Sequence, residues 1–367
     1  MSALFDPMTF GAIQAPNRIL MAPLTRGRAG VDHVPTPMMA DYYAQRAGAG
    51  LIISEATGIS REGLGWPKAP GIWSAPQREA WARVVDAVHA AGGRIVCQLW
   101  HMGHLVHPLY LDGQAPVSVS RVTAPGRAHT YEGRQDYVEA RELSVSDIQR
   151  VVEDYARAAR NARNARAAGF DGVQVHGANG YLVDSFLRDS VNRREDDYGG
   201  SPENRIRFLG DVVRAVSAEV GSDRTAVRLS PNGDTQGVID SDPATVFGPA
   251  AALLDTLDIA FLELREPGPE GTFGSTEQPK QSGLIRRHFG GPLVLNSDLT
   301  AQQGSDLIES GRADAVSFGR PFIANPDFVE RARRRLPLAQ STHHHWYGPD
   351  AHGYSDWPVW AEAAVEA

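Results

Sequence analysis

His176, Asn179 and Tyr181 lie within six consecutive positions and carry polar groups that could act on one substrate. His176 and Asn179 are three residues apart, so one helical turn would place both donors on the same side. Two neutral donors that converge suit a carbonyl or nitro oxygen that gains negative charge during a reaction. The Tyr181 phenol, a weak acid with an ordinary pKa of about 10, could protonate a developing carbanion. Each residue alone would more often make a buried structural hydrogen bond, but the three together predict a site.

Eight short apolar runs predict the strands that would position these residues. Each run is rich in β-branched residues and precedes a polar or glycine-containing turn and then a helical stretch. Runs that are apolar throughout are typical of parallel strands buried on both faces. The predicted strands are Arg18–Ala22, Leu51–Ala56, Arg94–Leu99, Gly172–Val175, Thr225–Leu229, Ile259–Leu264, Pro292–Leu295 and Ala315–Phe318.

Helix starts between these strands are marked by two kinds of signal. The first is a capping box, in which a Ser or Thr precedes an acidic or amide residue by three positions. The second is a proline at the first helical position after a capping side chain. The boxes are Ser74–Gln77, Ser144–Asp147 and Thr300–Gln303, and the prolines follow in Ser201-Pro202, Asp242-Pro243 and Asn325-Pro326.

Eight strand–helix units predict an α/β fold, a single (β/α)₈ TIM barrel that forms one domain over residues 1–367. A doubly wound sheet is the alternative, but no Gly-x-Gly-x-x-Gly follows any predicted strand. The stretch His101–Leu143 is rich in Pro, Gly and aromatic residues and does not fit the repeat. We therefore expect it to be an inserted excursion after the third strand, over the top of the barrel.

In a TIM barrel the chemistry belongs to polar residues at the C-terminal ends of the strands. Besides the residues after the fourth strand, these positions hold Thr25, Gln98, Arg228 and the pairs Asn296-Ser297 and Gly319-Arg320. Phosphate binding is expected in the loops after the seventh and eighth strands, from backbone amides and the Arg320 guanidinium. Asp298 would repel a phosphate, so we expect it to point away.

Composition excludes several classes of protein. A net charge of −8 and a pI of about 5.8 argue against a nucleic-acid or anionic-membrane surface. No apolar run is long enough for a membrane span and no signal peptide is visible, which predicts a cytoplasmic protein. Cys97 is the single cysteine, so no iron–sulfur or cysteine-based zinc site is expected. The run His343-His344-His345 is predicted to be surface loop, and no metal site is expected.

Several motifs, in order along the chain, resemble those of the old yellow enzyme family. They run from about Leu4 to Trp360, essentially the whole sequence. A threonine at position 25 makes the chain resemble the branch that includes the N-ethylmaleimide reductases, in contrast to a branch with cysteine there. The segments are Pro16–Arg26, Gly172–Leu182, Arg193–Arg205 and Phe318–Pro321.

The resemblance implies an ene-reductase that binds FMN non-covalently at the barrel mouth. A reduced nicotinamide cofactor, NADPH with NADH as the alternative, would reduce the flavin, and hydride would then pass to the β-carbon of an activated alkene. By resemblance, His176 and Asn179 bind the electron-withdrawing oxygen and Tyr181 protonates the α-carbon. The small-molecule substrate would be an enone, enal, maleimide or nitroalkene.

The resemblance also implies which residues bind the flavin. Gln98 would contact the pyrimidine edge, and the Arg228 cation would stabilise the anionic reduced flavin near N1, although a buried ion pair is the alternative role for Arg228. Thr25 would contact O4, and Ala56 is small enough to lie against the rings. The other expected cofactor residues are Pro23, Leu24, Asn296, Ser297, Phe318, Gly319 and Arg320.

Bulky side chains over the flavin would shape the substrate pocket. The main candidates are Trp100 and Trp66, followed by Tyr347 and Gln236, with Thr25 at the flavin itself. Each aromatic residue could equally fill the core.

Two other functions stay open at the level of sequence. A flavin-free barrel lyase or isomerase could use the Gly319-Arg320 site for a phosphorylated substrate. A non-catalytic flavin-binding redox sensor would not need Tyr181. The sequence also leaves open a monomer or a homodimer, and the natural alkene.

Overall fold

The computed structural model describes residues 3–164, 169–271 and 274–361, and its centre is a closed barrel of eight parallel strands. All eight predicted strands are confirmed, with bounds that differ by at most three residues. Their buried faces explain why the sequence runs do not alternate between apolar and polar residues. The strands, β1–β8 in chain order, are Ile19–Met21, Leu51–Ile53, Ile95–Trp100, Gly172–Gly177, Thr225–Leu229, Phe261–Arg265, Leu293–Asn296 and Ala315–Phe318.

The register of the barrel brings polar residues of neighbouring strands side by side. Gln98 of β3 pairs with Gln174 of β4. His176 of β4 pairs with Arg228 of β5, which in turn pairs with Glu263 of β6. The barrel closes where β8 pairs with β1. Strand pairing therefore assembles the polar groups at one end of the barrel.

Within the part of the chain that the structure describes, eight main helices follow the strands, and the three predicted capping boxes are all present. The helices, α1–α8, are Pro37–Ala44, Ala75–Ala90, Val145–Arg163, Arg207–Val220, Pro243–Thr256, Ser282–His288, Ala301–Glu309 and Phe328–Arg334. Shorter helices in the connections are Leu182–Leu187, Pro202–Arg205, Arg320–Ala324 and His343–Trp346.

One predicted helix start is wrong. Pro326 does not begin a helix, because α8 starts at Phe328. Asn325 instead ends the helix Arg320–Ala324, and its Nδ2 donates to the carbonyl oxygens of Pro321 and Ala339 at 2.8 and 3.0 Å. The Asn-Pro pair therefore marks a tight junction between two helices, a role that the same sequence signal does not distinguish from an N-cap.

An N-terminal hairpin closes the bottom of the barrel, and the sequence patterns did not predict it. Its strands are Met8–Phe10 and Ile13–Ala15. Phe10 packs edge-on against Phe261 of β6, with ring centroids 5.3 Å apart. Gly11 at the turn has φ +56°, and a Cβ there would lie 2.1 Å from the carbonyl oxygen of Asp223. The turn therefore requires glycine.

The excursion after β3 is confirmed. It contains an antiparallel hairpin of Arg127–Thr130 and Gly133–Asp136, and a short parallel pair of Val117–Ser118 with Arg141–Glu142. Two single turns of 3₁₀ helix, Gly103–Leu105 and Pro108–Tyr110, lead into it from β3.

The three consecutive histidines lie at the surface, but they form one helical turn with Trp346 where a loop was predicted. Over the described ranges of the chain, no group of three or more His, Cys, Asp or Glu side chains could hold a metal ion. No helix in the same ranges is both long and apolar enough to cross a bilayer.

Candidate active site

The segment that leaves β4 carries His176 and Asn179, but it does not form the helical turn that their spacing suggested. His176 is still within the strand, and Asn179 and Gly180 have left-handed φ values of +60° and +78°. A Cβ on Gly180 would lie 2.6 Å from the carbonyl oxygen of Thr235. The segment therefore turns sharply at a position where only glycine fits.

A buried polar cluster behind this turn fixes its shape. The backbone N–H of Asn179 donates to Oγ of Ser230 at 2.8 Å. Oδ2 of Asp184 accepts from the N–H of Gly180 at 2.9 Å, and the Asp184 carboxylate also pairs with Arg188 at 2.7 Å. Both members of this ion pair are fully buried, so the turn is anchored to charged groups that water does not screen.

His176 is held as a neutral hydrogen-bond donor. The backbone N–H of Ala178 donates to Nδ1 of His176 at 3.4 Å, which leaves the ring proton on Nε2. Burial, reinforced by the cations Arg228 and Arg265, lowers the pKa of His176 well below its ordinary value. At neutral pH His176 therefore offers an N–H without a charge.

Tyr181 and Trp100 pack around His176 at this end of the barrel. The Tyr181 ring lies edge-on to the His176 ring, with centroids 4.9 Å apart, and edge-on to Trp100 at 5.0 Å. Burial raises the pKa of the Tyr181 phenol above its ordinary value, so the group keeps its proton. His176 and Tyr181 are thus in contact, and Asn179 lies in the turn between them.

A hydrogen-bonded chain of side chains crosses the barrel below this site. Nε2 of Gln98 donates to Oε1 of Gln174 at 2.7 Å, and Nε2 of Gln174 donates to Glu263 at 2.9 Å. Glu263 pairs with Arg228, whose Nη2 donates to Oδ1 of Asn296 at 2.9 Å. Five strands therefore contribute to one polar layer, and Gln98, Arg228 and Asn296 of the predicted cofactor set belong to it.

Arg228 does form the buried ion pair that the sequence left open as an alternative. Its Nη1 lies 3.1 Å from each carboxylate oxygen of Glu263. However, its Nε is buried and has no hydrogen-bond partner among the described residues. The ion pair therefore leaves one donor of the guanidinium for a ligand.

The remaining cofactor candidates lie at the ends of β1, β2 and β8. Ala56 is buried, whereas Pro23, Leu24 and Thr25 are partly exposed. A Cβ on Gly319 would lie 3.2 Å from Cδ2 of Leu24, so the loops after β1 and β8 are in contact. The Phe318 side chain packs against Phe328, with ring centroids 5.0 Å apart, and belongs to the core.

The phosphate loop differs from the expectation for Asp298. Its carboxylate does not turn away from this loop, because Oδ1 lies 3.4 Å from Nη1 of Arg320. Asp298 also has φ +43°, a left-handed value that is uncommon for residues other than glycine and asparagine. The guanidinium of Arg320 lies over the Trp346 ring, 5.1 Å from its centroid. An acidic group therefore contacts the predicted phosphate-binding arginine.

The substrate candidates separate into two groups. Trp100 and Gln236 are next to the catalytic candidates, since Nε2 of Gln236 donates to the carbonyl oxygen of Asn179 at 3.0 Å. Trp66 and Tyr347 contact each other, with ring centroids 5.9 Å apart, and Trp66 also contacts His129 of the excursion at 4.8 Å. The excursion, the loop after β2 and the C-terminal segment thus meet at Trp66.

Four residues of this region were missed by reasoning from the sequence. They are buried and contact the candidate site, and all lie in strands: Gln174, Glu263, Arg265 and Ser317. The available signal was Glu263 within the run Ile259–Leu264, which was read as apolar, and Arg265 directly after that run. A charge within a buried strand requires a partner, so it indicates a polar layer.

Comparison with known proteins agrees with the barrel fold. The model of the NADH:flavin oxidoreductase / NADH oxidase family matches residues 3–339. The chain is 41% identical to 12-oxophytodienoate reductase 7 of Oryza sativa subsp. japonica, over 97% of this chain and 94% of that protein. The chain belongs to the old yellow enzyme family.

Solved structures of this family superpose closely on the chain. An old yellow enzyme homologue from Zymomonas mobilis is 57% identical with a TM-score of 0.95, covering 98% of this chain and all of that one. Morphinone reductase in complex with tetrahydroNAD is 40% identical with a TM-score of 0.92, and the match covers 100% of both chains. This old yellow enzyme is therefore a flavin oxidoreductase with a TIM-barrel fold.

The family implies FMN, and the residues present fit this cofactor. The unpartnered Nε of Arg228 supplies a donor and a positive charge, which would stabilise an anionic reduced flavin. Gln98 supplies an amide in the same layer, and Ala56 is a small residue that would not obstruct a flat ring system. The donor set thus suits an isoalloxazine ring above the polar layer.

Proposed function

We propose that this old yellow enzyme is an FMN-dependent ene-reductase that reduces alkenes activated by a carbonyl or nitro group. The observation that carries the proposal is the cluster of a neutral histidine, an amide and a protonated phenol at the end of β4. The polar layer below it, with Gln98 and Arg228, supports a flavin beneath this cluster. The reductant is proposed to be NADPH, with NADH as the alternative.

Oxygen binding is assigned to His176 and Asn179. The Nε2–H of His176 and the amide of Asn179 would donate to the substrate oxygen, which becomes more negative as the alkene is reduced. A neutral imidazole suits this role, because its hydrogen bond strengthens as the charge develops and it keeps no counter-charge in the resting pocket. FMN, when bound, supplies the hydride that it receives from the nicotinamide cofactor.

Proton donation is assigned to Tyr181. Its raised pKa keeps the phenol protonated until a strongly basic carbanion forms next to it. The hydroxyl would give its proton to the α-carbon, and the buried Trp100 ring lies edge-on beside the phenol. Trp66 and Tyr347, which contact each other, would limit the size of the substrate.

The test separates the two half-reactions under anaerobic conditions. FMN-loaded enzyme is reduced with NADPH or NADH and then mixed with an enone, an enal, a maleimide or a nitroalkene. We expect rapid reduction by one nicotinamide and reoxidation by at least one alkene. A protein that binds no FMN would favour the flavin-free lyase or isomerase, and a reducible flavin that no alkene reoxidises would favour the redox sensor.

The Tyr181→Phe variant tests the proton donor. We expect reoxidation by an alkene to slow by about 100-fold or more, as for loss of a general acid, while flavin reduction by the nicotinamide stays unchanged. Retention of FMN and of the unfolding temperature is the control for folding. If the variant carried out both half-reactions at the rates of the wild type, the assignment of Tyr181 as proton donor would be wrong.

A further inference from the structure

Arg265 lies at the C-terminal end of β6 and contacts a residue of the oxygen site. Its side chain is 5% exposed, and Nη1 donates to Oδ1 of Asn179 at 3.1 Å. Arg265 pairs in register with Asn296 of β7, so strand pairing fixes its position beside the polar layer.

The contact determines which end of the Asn179 amide faces the substrate. A guanidinium has only hydrogen-bond donors, so it can pair only with the amide oxygen. The amide NH₂ group is then the part of Asn179 left to donate elsewhere. Without this partner, the amide could rotate and present its oxygen, which would repel a substrate oxygen that gains negative charge.

We propose that Arg265 is a positioning residue, which holds the Asn179 amide with its NH₂ group toward the substrate oxygen and places a positive charge behind that donor. This inference rests on the proposed function, in which Asn179 binds the oxygen of the activating group. It extends that function by making oxygen binding depend on a charged residue in a different strand.

The charges around Arg265 are consistent with this role. Burial, together with Arg228 and Arg320, lowers the pKa of Arg265 to about 10, and Asp298 acts in the opposite direction. Arg265 therefore stays protonated at neutral pH. Its charge also lowers the pKa of His176, so one cation supports the donor state of both oxygen-binding residues.

The test measures how tightly 4-chlorophenol binds to the FMN-loaded oxidised enzyme at a series of pH values. The change in flavin absorbance reports the binding. A bound phenolate carries on its oxygen the charge that a substrate oxygen acquires, and no turnover is needed. For Arg265→Met we expect phenolate affinity to fall about 10-fold, as for loss of a hydrogen bond to a charged group. We also expect the pH at which binding reaches its plateau to rise by about one unit. Arg265→Lys, which keeps the charge, should recover part of both effects.

The Asn179→Ala background shows whether Arg265 acts through Asn179. In that background we expect Arg265→Met to lose the part of its effect that acts through the Asn179 amide. A change in phenolate affinity of less than about 3-fold should remain, from the Arg265 charge itself and its action on His176. The inference would be overturned if Arg265→Met lowered phenolate affinity about 10-fold in the Asn179→Ala background as well. It would also be overturned if Arg265→Met alone bound the phenol as tightly as the wild type does. FMN content and unfolding temperature control for folding. Failure of every alkene to reoxidise the flavin would instead refute the proposed function and leave the phenol result standing.

Discussion

Arg228 and Glu263 form a buried ion pair between neighbouring strands, with Nη1 of Arg228 3.1 Å from both carboxylate oxygens. The carboxylate also accepts from Gln174 and from Ser317, at 2.9 and 2.5 Å. Glu263 thus balances a cation that the flavin would also use. The positive charge of Arg228 that could stabilise a reduced flavin is therefore partly offset by the Glu263 carboxylate.

Glu263→Gln is expected to raise the midpoint potential of the bound flavin. Removing the carboxylate leaves Arg228 with an uncompensated charge, which stabilises the anionic reduced flavin by about 1–2 kcal/mol at a protein-like dielectric. For a two-electron couple this corresponds to about 20–40 mV. Spectroelectrochemical titration of the FMN-loaded variant measures the shift. A potential that is unchanged or lower would mean that Glu263 does not act on the flavin through Arg228.

Arg228→Met is expected to destabilise the fold by about 3–5 kcal/mol, because it leaves Glu263 charged and buried without its main partner. The double variant Arg228→Met/Glu263→Gln should be less destabilised than the sum of the single variants by about 2 kcal/mol. Urea unfolding of all four proteins completes the cycle. Additive losses would show that the pair contributes no coupling energy.

The pH dependence of stability should depend on Glu55, a fully buried carboxyl at the end of β2. Burial raises its pKa from 4.5 to about 7, so between these values the group binds a proton in the folded state but not in the unfolded state. The contribution of Glu55 to the free energy of unfolding is therefore fully present below about pH 4.5. It is lost as the pH rises through about 7. The difference amounts to about 3 kcal/mol.

Urea unfolding of the wild type and of Glu55→Gln at pH 5 and pH 8 checks this contribution. Gln cannot ionise, so the variant should lose about 2.5 kcal/mol less stability than the wild type between the two pH values. Comparison of the two proteins at each pH removes the effect of other titrating groups. Equal losses would contradict the shifted pKa.

The sequence allowed all eight strands and the capping boxes to be predicted because these depend on local patterns. The N-terminal hairpin escaped prediction because its apolar residues act by closing the barrel, a contact between distant parts of the chain. The same reason applies to Glu263 and Arg265. Glu263 is explained only by Arg228 of the neighbouring strand, and Arg265 only by Asn179 in the turn after β4. Neither contact is visible from the sequence of β6 alone.

The geometry of the catalytic segment was also beyond local reasoning. A spacing of three residues between His176 and Asn179 is compatible with a helix, but the chain instead leaves a strand through two left-handed residues. Gly180 was a signal for such a turn, yet only the contact with Thr235 shows why glycine is required.

Gly180→Ala is therefore expected to cost about 1–3 kcal/mol of stability and to slow alkene reduction more than flavin reduction. The added methyl group would have to displace the backbone near Thr235 and would move Asn179 and Tyr181. Gly200→Ala is the matched control, since Gly200 has φ +77° but no atom within 4 Å of the added Cβ. Stopped-flow rates of both half-reactions and urea unfolding give the comparison. Equal effects of the two variants would mean that backbone strain alone, without the steric contact, explains the loss.

Asp298→Asn is expected to strengthen FMN binding by about 5-fold. The Asp298 carboxylate lies 3.4 Å from Arg320 and competes with a phosphate for the same guanidinium. Removing one negative charge beside a guanidinium that binds a phosphate is worth about 1 kcal/mol. Asparagine also tolerates the left-handed φ of +43° at this position, so the backbone of the loop should not change.

Fluorescence titration of the apoprotein with FMN, at low and at high salt, measures the effect of this substitution. The gain should shrink at high salt, because the interaction is between partly exposed charges. Asp136→Asn serves as the matched control, since Asp136 pairs with Arg127 at 3.0 Å in the hairpin of the excursion. If Asp298→Asn binds FMN no more tightly than Asp136→Asn does, Asp298 does not weaken phosphate binding. The ion pair with Asp298 would then serve to hold Arg320 in place.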